Sequence, residues 1–65
     1  MELTKQDALK AIQDDKAKFI EEAHIAKDCW ELTYEFNGYR IFVGAFGYDR
    51  WLDDDANNVR IEKIS

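Results

Sequence analysis

The 65-residue chain contains no proline, only three glycines and a single cysteine. One cysteine excludes an internal disulfide framework and is typical of a protein in the reducing cytoplasm. No stretch approaches the roughly 20 apolar residues that a membrane span requires. The N-terminus also lacks the basic segment and apolar run of a signal peptide. We therefore expect a cytoplasmic protein that does not associate with membranes.

Basic residues are in the minority, with nine Lys and Arg against fourteen Asp and Glu and a formal net charge of −5. Nucleic-acid binders gain affinity from Lys and Arg on phosphates, so this balance counts against direct nucleic-acid binding. It favours a basic protein partner, or simply solubility. The hydrophobic share of 46% is that of a globular chain rather than a disordered one. The length allows one small domain, residues 1–65, with a thin core.

The first part of the chain has the periodicity of a helix. Thr4 followed by Asp7 resembles a capping box and predicts where the helix begins. Lys16 interrupts the apolar arc, and the Asp14–Asp15 pair is also suited to cap a second helix. We predict one helix over residues 4–26, with Lys16 extending along its surface. The residues on the apolar arc are Ala8, Leu9, Ile12, Phe19, Ile20, Ala23 and Ala26.

The period then changes from helical to strictly alternating over residues 30–36. Asn37-Gly38 follows, a dipeptide typical of a two-residue hairpin turn. We predict a hairpin over residues 30–46, whose turn fixes the register of the two strands. The expected pairs on one face are Phe36–Tyr39, Tyr34–Ile41, Leu32–Val43 and Trp30–Ala45, and those on the other face are Glu35–Arg40 and Thr33–Phe42.

The remaining residues predict a loop and a last strand. Residues 47–58 form an acidic loop with room for a short helical turn, and residues 59–64 alternate again. Val59 and Ile61 should face the core, with Ile64 on the other side. The expected fold is α+β, with one N-terminal helix packed on a three-stranded antiparallel sheet in the order α-β-β-β and in two layers.

The acidic loop is the first candidate site. Aromatic side chains beside charges are typical anchors of protein interfaces, and the candidates here are Tyr48, Asp49, Trp51, Asp53, Asp54 and Asp55. The simpler interpretation is a solvated loop that keeps a strand edge soluble. The alternating Asp-x-Asp-x-Asp-Gly pattern of a calcium loop is absent, so we expect no metal site and no cofactor.

The second candidate is an apolar row on the sheet face that the helix leaves uncovered. Phe42, Phe46 and Ile64 should point outward there, where polar residues are the rule. Two explanations remain open. Either the loop folds back and covers the row with Trp51 and Leu52, or the row contacts another protein chain, including a second copy.

Catalysis has little support in the sequence. His24 and Cys29 are the only imidazole and thiol, and they lie five residues apart near the predicted helix end. A nucleophile pair requires hydrogen-bond reach and a third group that orients the base, which nearness in sequence does not supply. We therefore expect no catalytic residues, and the chain is not expected to be an enzyme.

No motif is specific enough to match the chain to a family. The leading hypothesis is a non-enzymatic interaction module that binds a larger, basic protein, with the loop acids steering and Tyr48, Trp51, Phe42 and Phe46 as anchors. In its sharper form the acids imitate nucleic-acid phosphates and inhibit a nucleic-acid-binding protein. This form is suggested by analogy, because the chain has the small size and acidic charge of many accessory proteins of phages and mobile elements. The alternatives are a homo-oligomer, such as a homodimer, assembled through the apolar row, and a metal-responsive regulator that uses the acidic loop.

Overall fold

The computed structural model describes residues 2–64, which form one helix and an antiparallel sheet. The α+β class and the two layers are confirmed, but the sheet has five strands instead of three. In chain order the elements are α1 (Lys5–Gln13), β1 (Lys18–Ala26), β2 (Cys29–Phe36), β3 (Tyr39–Phe46), β4 (Trp51–Leu52), a 3₁₀ turn (Ala56–Asn58) and β5 (Arg60–Lys63).

The helix begins as predicted but is much shorter than residues 4–26. Thr4 caps it, and the Thr4 hydroxyl accepts a hydrogen bond from the backbone N–H of Asp7 at 3.1 Å. The helix ends at Gln13 because Asp15 takes a left-handed conformation, with φ +59°. Asp15 then donates its N–H to the Ile12 carbonyl, and the next residue donates to the Ala11 carbonyl. This pair of bonds is a Schellman motif, which terminates helices.

The second half of the predicted helix is strand β1, which pairs antiparallel with β2. Its register is irregular between Phe19 and Glu21 and again between His24 and Ala26. Each irregularity shifts the alternation of side chains between the two faces. The apolar residues therefore lose the period of two and acquire a spacing that resembles a helical arc. All nine residues of β1 are exposed, and the helix packs on β2, β5 and the 3₁₀ turn.

The hairpin of β2 and β3 has the predicted register at every pair. Strand β5 pairs with the first half of β3, with Ile61 opposite Ile41, and β4 pairs with its last two residues. The core lies between α1 and one face of β2 and β3, and its buried side chains are Ala8, Leu9, Ile12, Leu32, Ile41, Val43, Ala45 and Val59. Within residues 2–64, no helix has the length and apolar character needed to cross a bilayer.

Candidate protein-binding face

The sheet face opposite α1, here called the outer face, carries four of the candidate residues: Phe42, Phe46, Trp51 and Asp53. Residues directly opposite each other in antiparallel strands share a face, so the register orders this face into rows. A charged row contains Lys18, Glu35, Arg40 and Glu62; a mixed row contains Glu21, Thr33, Phe42 and Arg60; an acidic row contains Ala23, Glu31, Gly44 and Asp53; an apolar row contains Ala26, Cys29, Phe46 and Trp51.

The charged row and the mixed row are each electrically neutral. The charged row alternates in sign across the four strands, which is a favourable cross-strand arrangement. In the mixed row the guanidinium of Arg60 lies 4.3 Å from the ring centroid of Phe42, a cation–π contact. This contact covers part of Phe42, which is half-buried. These two rows thus form a polar half of the outer face.

The acidic row has two carboxylates and no base. Asp53 joins the row because its backbone N–H donates to the carbonyl of Gly44 at 2.9 Å. The one ion pair among residues 2–64 joins Glu22 to Arg50, so neither Glu31 nor Asp53 has a basic partner within that part of the chain. A groove of about 290 Å³ runs across this row, lined by Ile25, Glu31, Phe42, Gly44, Asp53 and Arg60.

The apolar row ends in two exposed aromatic side chains. Phe46 lies opposite Trp51, and they are 47% and 72% exposed. A tight turn connects them, in which the backbone N–H of Arg50 donates to the carbonyl of Gly47 at 3.1 Å. Tyr48, within this turn, is almost fully exposed. The turn therefore presents Phe46, Trp51 and Tyr48 to solvent at one end of the sheet.

Two of the loop carboxylates hold the loop in shape. Asp53 accepts hydrogen bonds from the backbone N–H of Asp55 at 3.0 Å and from the side-chain amide of Asn58 at 2.9 Å. Asp55 caps the 3₁₀ turn by accepting from the N–H of Asn57 at 3.0 Å. Asp49 and Asp54 are exposed. Of the run of three aspartates, the structure brings only Asp53 into the groove.

The predicted apolar row of Phe42, Phe46 and Ile64 is not one patch: the alternation of β5 directs Ile64 to the outer side as expected, but it lies at the other end of the sheet from Phe46. The N–H of Ile64 donates to the carbonyl of Gly38 at 2.9 Å, at the hairpin turn. Gly38 and Phe46 are eight positions apart along the hairpin strand, which separates them by roughly 26 Å. The loop covers the face only in part. Asp53 and Asn58 reach the groove beside Phe42, whereas Leu52 packs against the core and Phe46 remains exposed beside Trp51.

Besides Gly44, three of the groove-lining residues named above were not predicted as site residues. Glu31 could have been found, because the predicted hairpin register already places it opposite Gly44. Ile25 could not, because it belongs to a strand that the sequence pattern predicts as helix. Arg60 was placed in the last strand, but its contact with Phe42 depends on β5 pairing with β3.

The turn that carries Trp51 is held from the other side of the sheet. Arg50 pairs with Glu22 and lies 4.6 Å from the ring centroid of Trp30, on the face that bears the helix. His24 stacks on the same Trp30, with ring centroids 4.8 Å apart. His24 and Cys29 therefore extend from opposite faces, since Cys29 pairs with Phe46, and they do not form a nucleophile pair.

No cluster of three or more metal-ligating side chains occurs in the described part of the chain. No protein-family model, curated protein or solved structure matches this sequence.

Proposed function

We propose that this chain is a non-enzymatic interaction module that binds a basic protein surface through its outer face. The observation that carries the proposal is the exposed Phe46–Trp51 pair next to an acidic row that contains no base. The aromatic pair supplies apolar contact area, and the carboxylates of Glu31 and Asp53 supply a negative field beside it.

The aromatic pair has the properties of an interface anchor. Aromatic side chains bury a large area, and Trp and Tyr are enriched among the residues that dominate binding energy. Phe46 and Trp51 adjoin each other, and Ile25 is exposed on the same face. Neighbouring exposed apolar side chains of this kind are typical of protein-binding surfaces.

The charge on the face favours a basic partner over a second copy. In a symmetric dimer the same patch contributes to both sides of the interface. A dimer centred on the outer face would bring Glu31 and Asp53 of one copy near the same carboxylates of the other. Like charges across an interface disfavour association, whereas a basic surface gains from the same field. The net charge of −5 adds long-range attraction toward such a surface.

The sharper form of the proposal makes the chain an inhibitor of a nucleic-acid-binding protein. Its basis is the acidic row together with the exposed Asp49 and Asp54, which would occupy the place of phosphates on the partner. It has a direct consequence, because nucleic acid and this chain would then bind the same surface. Duplex DNA added to the complex should release the chain in proportion to its concentration.

The proposal is tested by affinity capture from a cell lysate with four variants of the tagged chain. Phe46→Ser/Trp51→Ser removes the aromatic pair, and Glu31→Gln removes one charge of the acidic row. Phe19→Ser is the control for the first, because Phe19 is 51% exposed but lies on the helix side of β1. Glu62→Gln is the control for the second, because Glu62 belongs to the neutral charged row.

We expect a basic protein that is retained by the wild type and by both controls. The aromatic variant should lose it, and Glu31→Gln should retain less of it, most clearly at low salt, where charge attraction is least screened. A partner retained equally by Phe46→Ser/Trp51→Ser, or lost equally by Phe19→Ser, would contradict the proposed face. Circular dichroism of each variant separates lost binding from lost folding.

Sedimentation velocity tests the homo-oligomer alternative on the same proteins. The wild type should remain a monomer as its concentration is raised. A concentration-dependent dimer that Phe46→Ser/Trp51→Ser abolishes and Phe19→Ser leaves intact would replace the proposal with self-assembly through the outer face.

A further inference from the structure

We infer that the groove across the acidic row receives the guanidinium group of an arginine side chain from the partner. This inference rests on the proposed function and specifies the chemistry of the contact. Its basis is the shape of the groove, the groups that line it, and the way in which the chain already places one of its own arginines there.

The groove is shaped for a single side chain. Gly44 lines it with no side chain, and Ala23 lies in the same row. A Cβ atom added at Gly44 would lie 3.8 Å from the Cβ of Asp53 and 3.8 Å from the Phe46 ring, so these two side chains flank the gap. The volume of about 290 Å³ lies just below the range of small-molecule pockets, which begins at about 300 Å³.

The lining groups match a guanidinium. Glu31 and Asp53 bring two carboxylates to the groove, and that of Asp53 also accepts the two loop hydrogen bonds described above. Phe42 lines the groove, and the Phe46 ring lies next to Gly44. A guanidinium is planar, carries five N–H donors and stacks on aromatic faces while it pairs with carboxylates. A lysine ammonium makes the charge contact but has no plane to stack.

The chain's own Arg60 shows that this wall accepts a guanidinium. Arg60 stacks on Phe42 at 4.3 Å and lines the groove. Its single positive charge leaves the groove one negative charge in excess, since Glu31 and Asp53 both line it. The incoming arginine would supply that missing charge and lie toward Phe46, away from Arg60.

The test is an NMR titration of the ¹⁵N-labelled full chain with three blocked tripeptides. Gly-Arg-Gly carries the guanidinium, Gly-citrulline-Gly carries its neutral isostere, and Gly-Lys-Gly carries a charge without the plane. We expect the arginine peptide to shift the amide signals of Glu31, Gly44 and Asp53 in a saturable manner. The lysine peptide should bind more weakly, and the citrulline peptide should cause no shifts at these positions.

Two matched variants locate the contact. Glu31→Gln should weaken binding of the arginine peptide by roughly three- to fivefold, the scale of one partly exposed charge pair. Glu62→Gln removes the same charge from the neutral charged row and should leave the affinity unchanged. A second hollow, lined by Glu2, Asp7 and Tyr39, is also acidic and serves as an internal comparison.

The inference is overturned if the citrulline peptide gives the same shifts, if Glu31→Gln binds arginine as the wild type does, or if the shifts fall at the second hollow. These results are distinct from failure of the proposed function. A partner that depends on Phe46 and Trp51, in a chain whose groove does not bind the arginine peptide, would support the binding face and reject the arginine contact. An arginine peptide that binds in the groove, with no partner dependent on the aromatic pair, would support the groove and reject the proposed function.

Discussion

Asp15 donates its backbone N–H to the carbonyl oxygen of Ile12 at 3.1 Å while holding φ at +59°. This contact separates α1 from β1. The left-handed conformation is unfavourable for residues with a Cβ atom, although Asp tolerates it better than most, and it is accessible to glycine without strain.

Asp15→Gly should therefore stabilise the protein. We expect the free energy of unfolding to rise by about 0.5 kcal/mol, since relief of backbone strain exceeds the added flexibility of the unfolded chain. Urea unfolding followed by circular dichroism measures the change. Asp14→Gly is the matched control: Asp14 has φ −87°, so glycine relieves no strain there and should not stabilise. Equal effects at both positions would contradict the role given to Asp15.

The buried helix and the exposed strand should respond differently to the same truncation. Ile12 is 7% exposed and belongs to the core, whereas Ile20, in β1, is 39% exposed. We expect Ile12→Ala to lower the free energy of unfolding by about 2–4 kcal/mol, a large part of the stability of so small a domain. Ile20→Ala should cost less than about 1 kcal/mol. Chemical denaturation of the two variants measures both values. Similar losses of stability would indicate that Ile20 is buried in the core and would contradict its exposure in β1.

The hairpin and the helix start could be predicted because their signals are local. Asn37-Gly38 determines the register of its two strands, and the Thr4 cap lies within one turn of the bonds it satisfies. Strand β1 could not be predicted from its periodicity. Its two irregularities remove the alternation of a strand, and an edge strand with every residue exposed has no buried face to mark it.

At high pH the free energy of unfolding of the wild type should fall more steeply than that of a variant without the Tyr34 phenol. Burial raises the pKa of the Tyr34 phenol above its ordinary value of 10.0, and the negative charge of Asp15 raises it further. The folded state thus holds the phenol proton more tightly than the unfolded state does. The resulting stabilisation is complete below about pH 10 and is lost as the pH rises through the folded pKa.

Tyr34→Phe removes this contribution, so its unfolding free energy should decline less than that of the wild type between about pH 9 and about pH 11. Urea denaturation at several pH values gives the two slopes. Tyr48→Phe is the matched control, because it removes a phenol hydroxyl from an exposed position. Parallel slopes for Tyr34→Phe and the wild type would show that the phenol does not couple to folding.

The arrangement of the outer face could be predicted only in part, because it depends on contacts between segments that are distant in the sequence. Strand alternation predicted that Phe46 faces outward from the hairpin, and Trp51 was a candidate because it lies among the loop carboxylates. The strand pairing that sets the two side chains next to each other could not be predicted. The grouping of Phe46 with Ile64 was wrong. Alternation within a strand indicates which face of the sheet a residue is on, but it does not indicate how that strand is aligned with its neighbour. The groove depends on Gly44 lying between Glu31 and Asp53, and the contribution of Asp53 follows from the path of the loop.

Gly44 should tolerate a side chain that Gly38 does not. Gly44 lies in regular strand geometry, and a Cβ there makes contacts no closer than 3.8 Å. Glycine loses more conformational entropy on folding than alanine does, so Gly44→Ala should raise the free energy of unfolding by about 0.5–1 kcal/mol. Gly38 has φ +83° with nothing within 4 Å of an added Cβ, so its requirement for glycine comes from the backbone alone. Gly38→Ala should lower the free energy of unfolding by about 1 kcal/mol.

The pair of alanine variants also separates stability from binding. If Gly44 were kept for folding, Gly44→Ala would destabilise the protein as Gly38→Ala does, and thermal or urea denaturation would show both variants below the wild type. If Gly44 instead keeps the groove open, Gly44→Ala should be more stable than the wild type and yet bind the captured partner less well. The methyl group would occupy space between Asp53 and Phe46 that the partner requires. A gain in stability with a loss of binding is therefore the expected result.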